Sequence, residues 1–162
     1  MKPESWVFRV IAHEGESLGH FLGKFRRANR LSQRVVADHL GVRAEWVRAW
    51  EAPSRRRNPT ALQLIALSKL TDVEHQKLEK MLLIEPLYLQ TRLCAACYGE
   101  TPVHRSDWQI STINYCEWHL LLLLCACPVC GRGFKIPALW ELGCCEQCEL
   151  GFSQMQSYQQ PI

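Results

Sequence analysis

No stretch of the 162-residue chain approaches the ~20 consecutive apolar residues that a membrane helix needs. The most apolar run, Leu120 to Leu124, stops after five residues at Cys125, and it suits packing between two small modules better than lipid. The start of the chain lacks a charged segment leading into an apolar one, so export is not expected and a reducing, cytoplasmic setting is. Redox chemistry of the Cys-x-x-Cys type needs a βαβ context, and no such alternation is present. The C-terminal half is short of continuous apolar periodicity, so it cannot build a large core unaided.

What that half does contain is cysteine. Seven of the nine cysteines and one histidine form four close pairs: Cys94 with Cys97, Cys116 with His119, Cys127 with Cys130, and Cys145 with Cys148. Two donors separated by two residues reach one ion from a single tight turn, and two such turns complete a tetrahedron. Eighteen residues lie between Cys97 and Cys116 and fourteen between Cys130 and Cys145, spacings that point to structural zinc. An odd cysteine count with a histidine inside one pair favours metal over a disulfide scaffold. Two Zn2+ ions are therefore expected. Ligation in such modules is worth roughly 10–16 kcal/mol, enough to stand in for a missing core.

Sequential pairing is the simplest assignment, while a cross-braced one would exchange the middle pairs. Cys125, Cys144 and His104 are spare donors, Cys144 being placed to replace Cys145. In Cys127-Pro128-Val129-Cys130-Gly131 the proline stiffens a knuckle and the glycine permits a kink. Four protein ligands per ion leave no vacant position and no acid–base pair accompanies them, so an enzyme is not expected. Trp108, Ile110 and Ile113, with Trp140 and Leu142, are the expected small cores of the two modules.

The N-terminal half is basic. Residues 24–57 hold ten basic and three acidic side chains, a net +7 in a chain of +3 overall, which leaves −4 elsewhere. A localised polyanion contact follows from that asymmetry. Ser17 is placed to cap a helix carrying Leu18, Phe21, Leu22 and Phe25, and Ser32 a second one that Gly41 breaks. Arg43 to Glu51 forms a third, Thr60 caps a fourth and Asp72 a fifth. Ala37, Gly41 and Val47 occupy the close-packed positions of a helix-turn-helix, with Arg43, Ala44, Glu45, Arg48 and Ala49 outward. Arg43 and Arg48, with the loop residues Arg55, Arg56 and Arg57, are the candidate nucleic-acid contacts. The outward face carries no Asn or Gln for adenine, which weakens sequence reading. Trp6 and Phe8, on one face of an extended segment, and the bulky Trp46 are candidate anchors for a protein partner.

The expected architecture is a mainly α helix-turn-helix domain at 1–88, a tandem zinc-finger domain of two knuckle-like modules at 89–155, and a flexible tail at 156–162. Several of these features together resemble TniQ proteins of bacterial transposons: Gly15-Glu16-Ser17-Leu18, the run to Ala28-Asn29-Arg30-Leu31-Ser32, Arg92-Leu93-Cys94-x-x-Cys97, Cys116-x-x-His119 followed by leucines, and Cys127-Pro128-Val129-Cys130-Gly131. The resemblance spans about residues 15–150. It implies a non-enzymatic adaptor that links a target-recognising complex to an AAA+ ATPase regulator, a TnsC-like filament, in DNA transposition. The short length resembles the TniQ of CRISPR-associated transposons, whose target finder is a nuclease-dead type V effector with its guide RNA. Contact with RNA and with target DNA, and a bacterial cytoplasmic location, are implied too. The alternative is a sequence-specific DNA-binding regulator with a zinc appendage.

Overall fold

The computed structural model describes residues 8–53 and 58–162, so Trp6, Arg55, Arg56 and Arg57 lie outside the described residues. Among the described residues, six α-helices precede and enter a region of short turns: α1 (Leu18–Ala28), α2 (Gln33–Leu40), α3 (Ala44–Trp50), α4 (Ala61–Thr71), α5 (His75–Glu79) and α6 (Ala95–Glu100). A two-stranded antiparallel ribbon follows, β1 (Tyr115–Cys116) with β2 (Leu121–Leu122), Cys116 facing Leu121. Short 3-10 helices occupy Ser106–Gln109, Pro137–Leu139 and Ser153–Tyr158.

Helix starts follow from their caps. The Ser17 hydroxyl accepts from the His20 N–H, Ser32 from Val35, and Thr60 forms a reciprocal capping box with Gln63. Gly41 ends α2 with φ of 66°, and its left-handed turn lets α3 fold back onto α2. Val36, Ala37, Val47 and Trp50 are buried in that angle. Ala44, expected outward, instead packs against the same cluster, because it sits in the first turn of α3 beside the bend. Asp72, expected to start a helix, ends α4 in left-handed geometry (φ 57°), and α5 begins only at His75. Leu78 on α5 and Met81, two residues past its end, are buried as the pattern requires.

Apolar side chains gather in two clusters. One runs from Ala12 through α1–α5 to Met81; the other runs from Leu93 to Met155 and includes the cysteines Cys94, Cys97, Cys116, Cys127 and Cys145. Trp108 and Trp140 both belong to the second, one shared core where a small core per module was expected, whereas Leu142 is 85% exposed beside the Gly143 turn. The clusters meet along α1. Gly23 lies so close to the Pro137–Leu139 turn that a Cβ there would stand 2.3 Å from the Ala138 carbonyl oxygen, and Arg27 donates to that same oxygen. The Ser17 and Ser106 N–H groups donate to His104 and Gly15 carbonyls at 2.8 and 3.0 Å, tying the start of α1 to the second half.

A polar chain completes this junction. Gln109 donates its amide hydrogens to the Tyr88 and Gln90 carbonyls (2.6 and 2.9 Å), which turns its oxygen toward His104 Nε2 at 3.1 Å. His104 therefore carries its proton on Nε2 and accepts at Nδ1 from the Ser17 hydroxyl, 2.8 Å away. Complete burial holds His104 down at about 3, so it is neutral. Glu16 is equally enclosed: one oxygen meets His20 Nδ1 (2.6 Å) and Lys24 Nζ (2.8 Å).

The stretch 156–162 is not a loose tail. Gln159 is buried; its side-chain oxygen accepts from the Ala95 N–H (2.8 Å) at the start of α6, and its amide donates to the Leu122 carbonyl (2.8 Å). Backbone bonds from Leu122 to Gln160 and from Ile162 to Leu120 lay these last residues along β2. Polar composition suggested a solvated end, but here the glutamine satisfies a helix terminus. No helix among the described residues is long and apolar enough to cross a membrane.

Candidate metal centres

Two groups of four donor atoms stand out among the described residues. Cys94, Cys97, Cys116 and His119 form one, Cys127, Cys130, Cys145 and Cys148 the other, and within each group the donor atoms lie within 4.8 Å of one another. The sequential grouping is the one the structure adopts. All nine cysteines are free thiols.

Three of the four pairs share one backbone device. The first residue's carbonyl accepts from the N–H of the fifth: Cys116 from Leu120 (2.8 Å), Cys127 from Gly131 (2.9 Å) and Cys145 from Glu149 (3.0 Å). In each the fifth residue is left-handed, with φ of 53°, 75° and 60°. This turn points both donor side chains to one side. Only the middle knuckle advertises it with glycine; leucine and glutamate adopt the same strained region in the others. The pair Cys94–Cys97 makes the same bond, from the Tyr98 N–H to the Cys94 carbonyl (3.0 Å), but the chain continues as helix and does not turn left-handed. Cys94 caps α6 and Cys97 lies within its first turn, so helical geometry sets their spacing.

Donor separations suit a tetrahedron around one ion. Ligand bonds of about 2.3 Å to sulfur and about 2.0 Å to nitrogen imply edges of about 3.5–3.8 Å. In the first group His119 Nδ1 is 3.2, 3.7 and 3.9 Å from the sulfurs of Cys97, Cys116 and Cys94, and Cys97 is 3.4 Å from Cys116. In the second, Cys127 to Cys148 is 3.6 Å and Cys130 to Cys145 is 3.4 Å. Thiols so close to one another share protons unevenly. The contact with Cys97 lowers Cys94 to about 5, while Cys97 itself is pushed far upward by Cys94. In the second group burial opposes ionisation of Cys145, yet the N–H groups of Cys148 and Gln147 bring it to about 7. Such clusters of soft donors fit a thiophilic divalent ion, bound as thiolate.

The spare donors stay outside both groups. Cys125 is exposed, Cys144 is partly buried next to the ligand-bearing turn, and His104 is committed to the junction described above. Cys145, not Cys144, faces the second centre because it heads the knuckle closed by Glu149.

The other candidates are dispersed. Arg43 is exposed at the start of α3, and Arg48 is exposed one turn on, 3.6 Å from Glu45. Trp46 is half-buried against the N-terminal cluster. Phe8 presents a 59% exposed ring, while its backbone is clamped by Asn29, which accepts from its N–H (3.2 Å) and donates to its carbonyl (2.9 Å). Asn29 also caps the end of α1, so the Phe8 backbone is held at a defined place. A clamp formed across twenty-one residues leaves no mark in the local sequence pattern.

Comparison with protein-family models and with curated proteins found no match.

Proposed function

We propose that the protein is a zinc-stabilised, non-catalytic adaptor in DNA transposition. It joins an RNA-guided target complex of the type V kind to an AAA+ ATPase regulator filament. The observation that carries this reading is the pairing of two saturated four-donor clusters with a basic N-terminal half. Thiolate donors in tetrahedral array favour Zn2+, and four protein ligands leave no place for a reacting water. The centres then serve as rigid scaffolding, and the surfaces do the work. Phe8, with Trp6 beside it in sequence and Trp46 on α3, supplies aromatic anchors of the kind that dominate protein interfaces. Arg43 and Arg48, with Arg55, Arg56 and Arg57, supply charge for a nucleic-acid backbone.

One experiment separates this from a DNA-reading regulator. The purified chain is sedimented with an ATP-loaded regulator filament and, separately, titrated with duplex DNA. An adaptor co-sediments with the filament, loses that binding in Phe8→Ala and Trp6→Ala, and binds duplex weakly alone. Duplex binding at ~10⁻⁸ M or tighter with no filament binding would establish the regulator instead. That alternative reads α2, the Gly41 turn and α3 as a helix-turn-helix, with the exposed Arg43 and Arg48 available to DNA.

A further inference from the structure

His119 touches more than the sulfurs. Its Nδ1 faces Cys94, Cys97 and Cys116, while Nε2 lies 2.9 Å from Oε1 of Glu100, the last residue of α6. The two ring nitrogens thus have opposite duties, one toward the thiols and one toward a carboxylate. A carboxylate can only accept here, so Nε2 must carry the proton and Nδ1 keeps its lone pair free.

We infer that Glu100 is a positioning residue of the first metal centre, fixing His119 as an Nδ1 ligand. The inference rests on the zinc reading above. Its physical basis is that a metal-bound imidazole gains basicity and a fixed orientation from an acceptor on its other nitrogen. Helix α6 ties the two ends together: it opens with Cys94, carries Cys97 in its first turn and closes with Glu100. One helix therefore supplies two ligands of the centre and the carboxylate that aims a third. The second centre has four sulfurs and no imidazole, so it needs no such partner.

Outer-sphere partners of metal ligands commonly change affinity 10–100-fold, and an exposed carboxylate belongs at the low end. Glu100 is 71% exposed on its side chain, so about a tenfold effect is expected. The test follows zinc release from the full chain to a chromogenic chelator, after total zinc has been measured. In Glu100→Ala one of two ions should leave about tenfold faster, with the other unchanged. Glu100→Gln, which retains an acceptor oxygen, should fall between. In a His119→Cys background, where no ring needs aiming, Glu100→Ala should have no effect.

Equal release from wild type and Glu100→Ala, each with two ions bound, would overturn the inference alone. So would an equal acceleration in the His119→Cys background, which would make Glu100 a structural residue of α6. Fewer than two ions in the wild type would overturn the zinc reading beneath it. Ring ¹⁵N shifts of the zinc-loaded wild type give a readout that needs no variant. Protonated Nε2 with metal-bound Nδ1 is expected, and the reverse assignment overturns the inference.

Discussion

Replacing Gly23 by alanine tests whether the two halves are held as one unit. In an isolated helix this change would stabilise α1 by about 1 kcal/mol. Here the added Cβ would stand 2.3 Å from the Ala138 oxygen, 2.6 Å from its Cα and 2.8 Å from its carbonyl carbon. Ordinary contact begins near 3.4 Å, so α1 and the Pro137–Leu139 turn must separate by about 1 Å. All three clashing atoms are backbone, so no side chain can rotate away. The separation also stretches the Arg27 bond to Ala138 and loosens the edge contact of His20 with Trp140, whose rings lie 6.3 Å apart. Overpacking costs of about 1–3 kcal/mol, with the lost contacts added, exceed the helix gain by about 2 kcal/mol. For a chain of this size that lowers Tm by about 4–8 °C. Thermal unfolding followed by circular dichroism, with zinc in excess, measures it. Gly99→Ala is the control, since a Cβ there meets only Ser153 at 3.6 Å, and it should be neutral or mildly stabilising. A Gly23→Ala protein that melts at or above wild type would refute the wedge, leaving helix propensity as the winner.

Two further outcomes follow from buried charge. Glu51 is buried and takes hydrogen bonds from Arg26 Nη2 (2.8 Å) and Gln33 Nε2 (2.6 Å), so Glu51→Ala strands a largely enclosed guanidinium and should cost about 3 kcal/mol in urea unfolding. His104, at about 3 in the fold against an ordinary 6.5, stays neutral where the unfolded chain binds a proton. Its contribution is therefore full above pH 6.5 and falls by about 1.4 kcal/mol per pH unit below it, or about 2 kcal/mol by pH 5. The stability gap between wild type and His104→Gln should shrink by that amount across this range, in matched urea melts that cancel the metal sites common to both proteins; a gap independent of pH would count against it.

Legibility in the sequence varied with how local each cause was. Ser17, Ser32, Gly41 and Thr60 announced the boundaries of α1, α2 and α4 because capping is settled within four residues. The candidate metal ligands were legible for the same reason, their spacing being a property of single turns. Asp72 misled because one residue type serves both as a helix start and, in left-handed geometry, as a stop. The left-handed Leu120 and Glu149 had no signature at all: the turn is imposed on them by the knuckle. Gln159, Glu100 and the Asn29 clamp on Phe8 act across 64, 19 and 21 residues, and no window along the chain could hold them.

These long-range contacts bear on what the two centres do for the rest of the molecule. The first centre is enclosed by its own surroundings: Cys94, Cys97 and Cys116 are buried, Gln159 caps the helix that begins there, and Trp108 packs nearby in the same cluster. Trp108 and Trp140 in turn stand edge-on to His104, at 5.4 and 5.2 Å, and His104 bonds to Ser17 at the head of α1. A continuous set of contacts therefore runs from the first centre to the helix whose far end, through Asn29, clamps Phe8. The second centre is more open, with Cys148 exposed and Cys130 only partly covered. Its two knuckles close on themselves through Gly131 and Glu149, yet the loop that joins them carries the Pro137–Leu139 turn packed on α1. Removing metal from either centre should thus disturb the junction with α1, from the first through Trp108 and His104 and from the second through the Pro137–Leu139 turn and Trp140. Ligation at these centres would therefore bear on the N-terminal surface through α1 and not through direct contact with a metal.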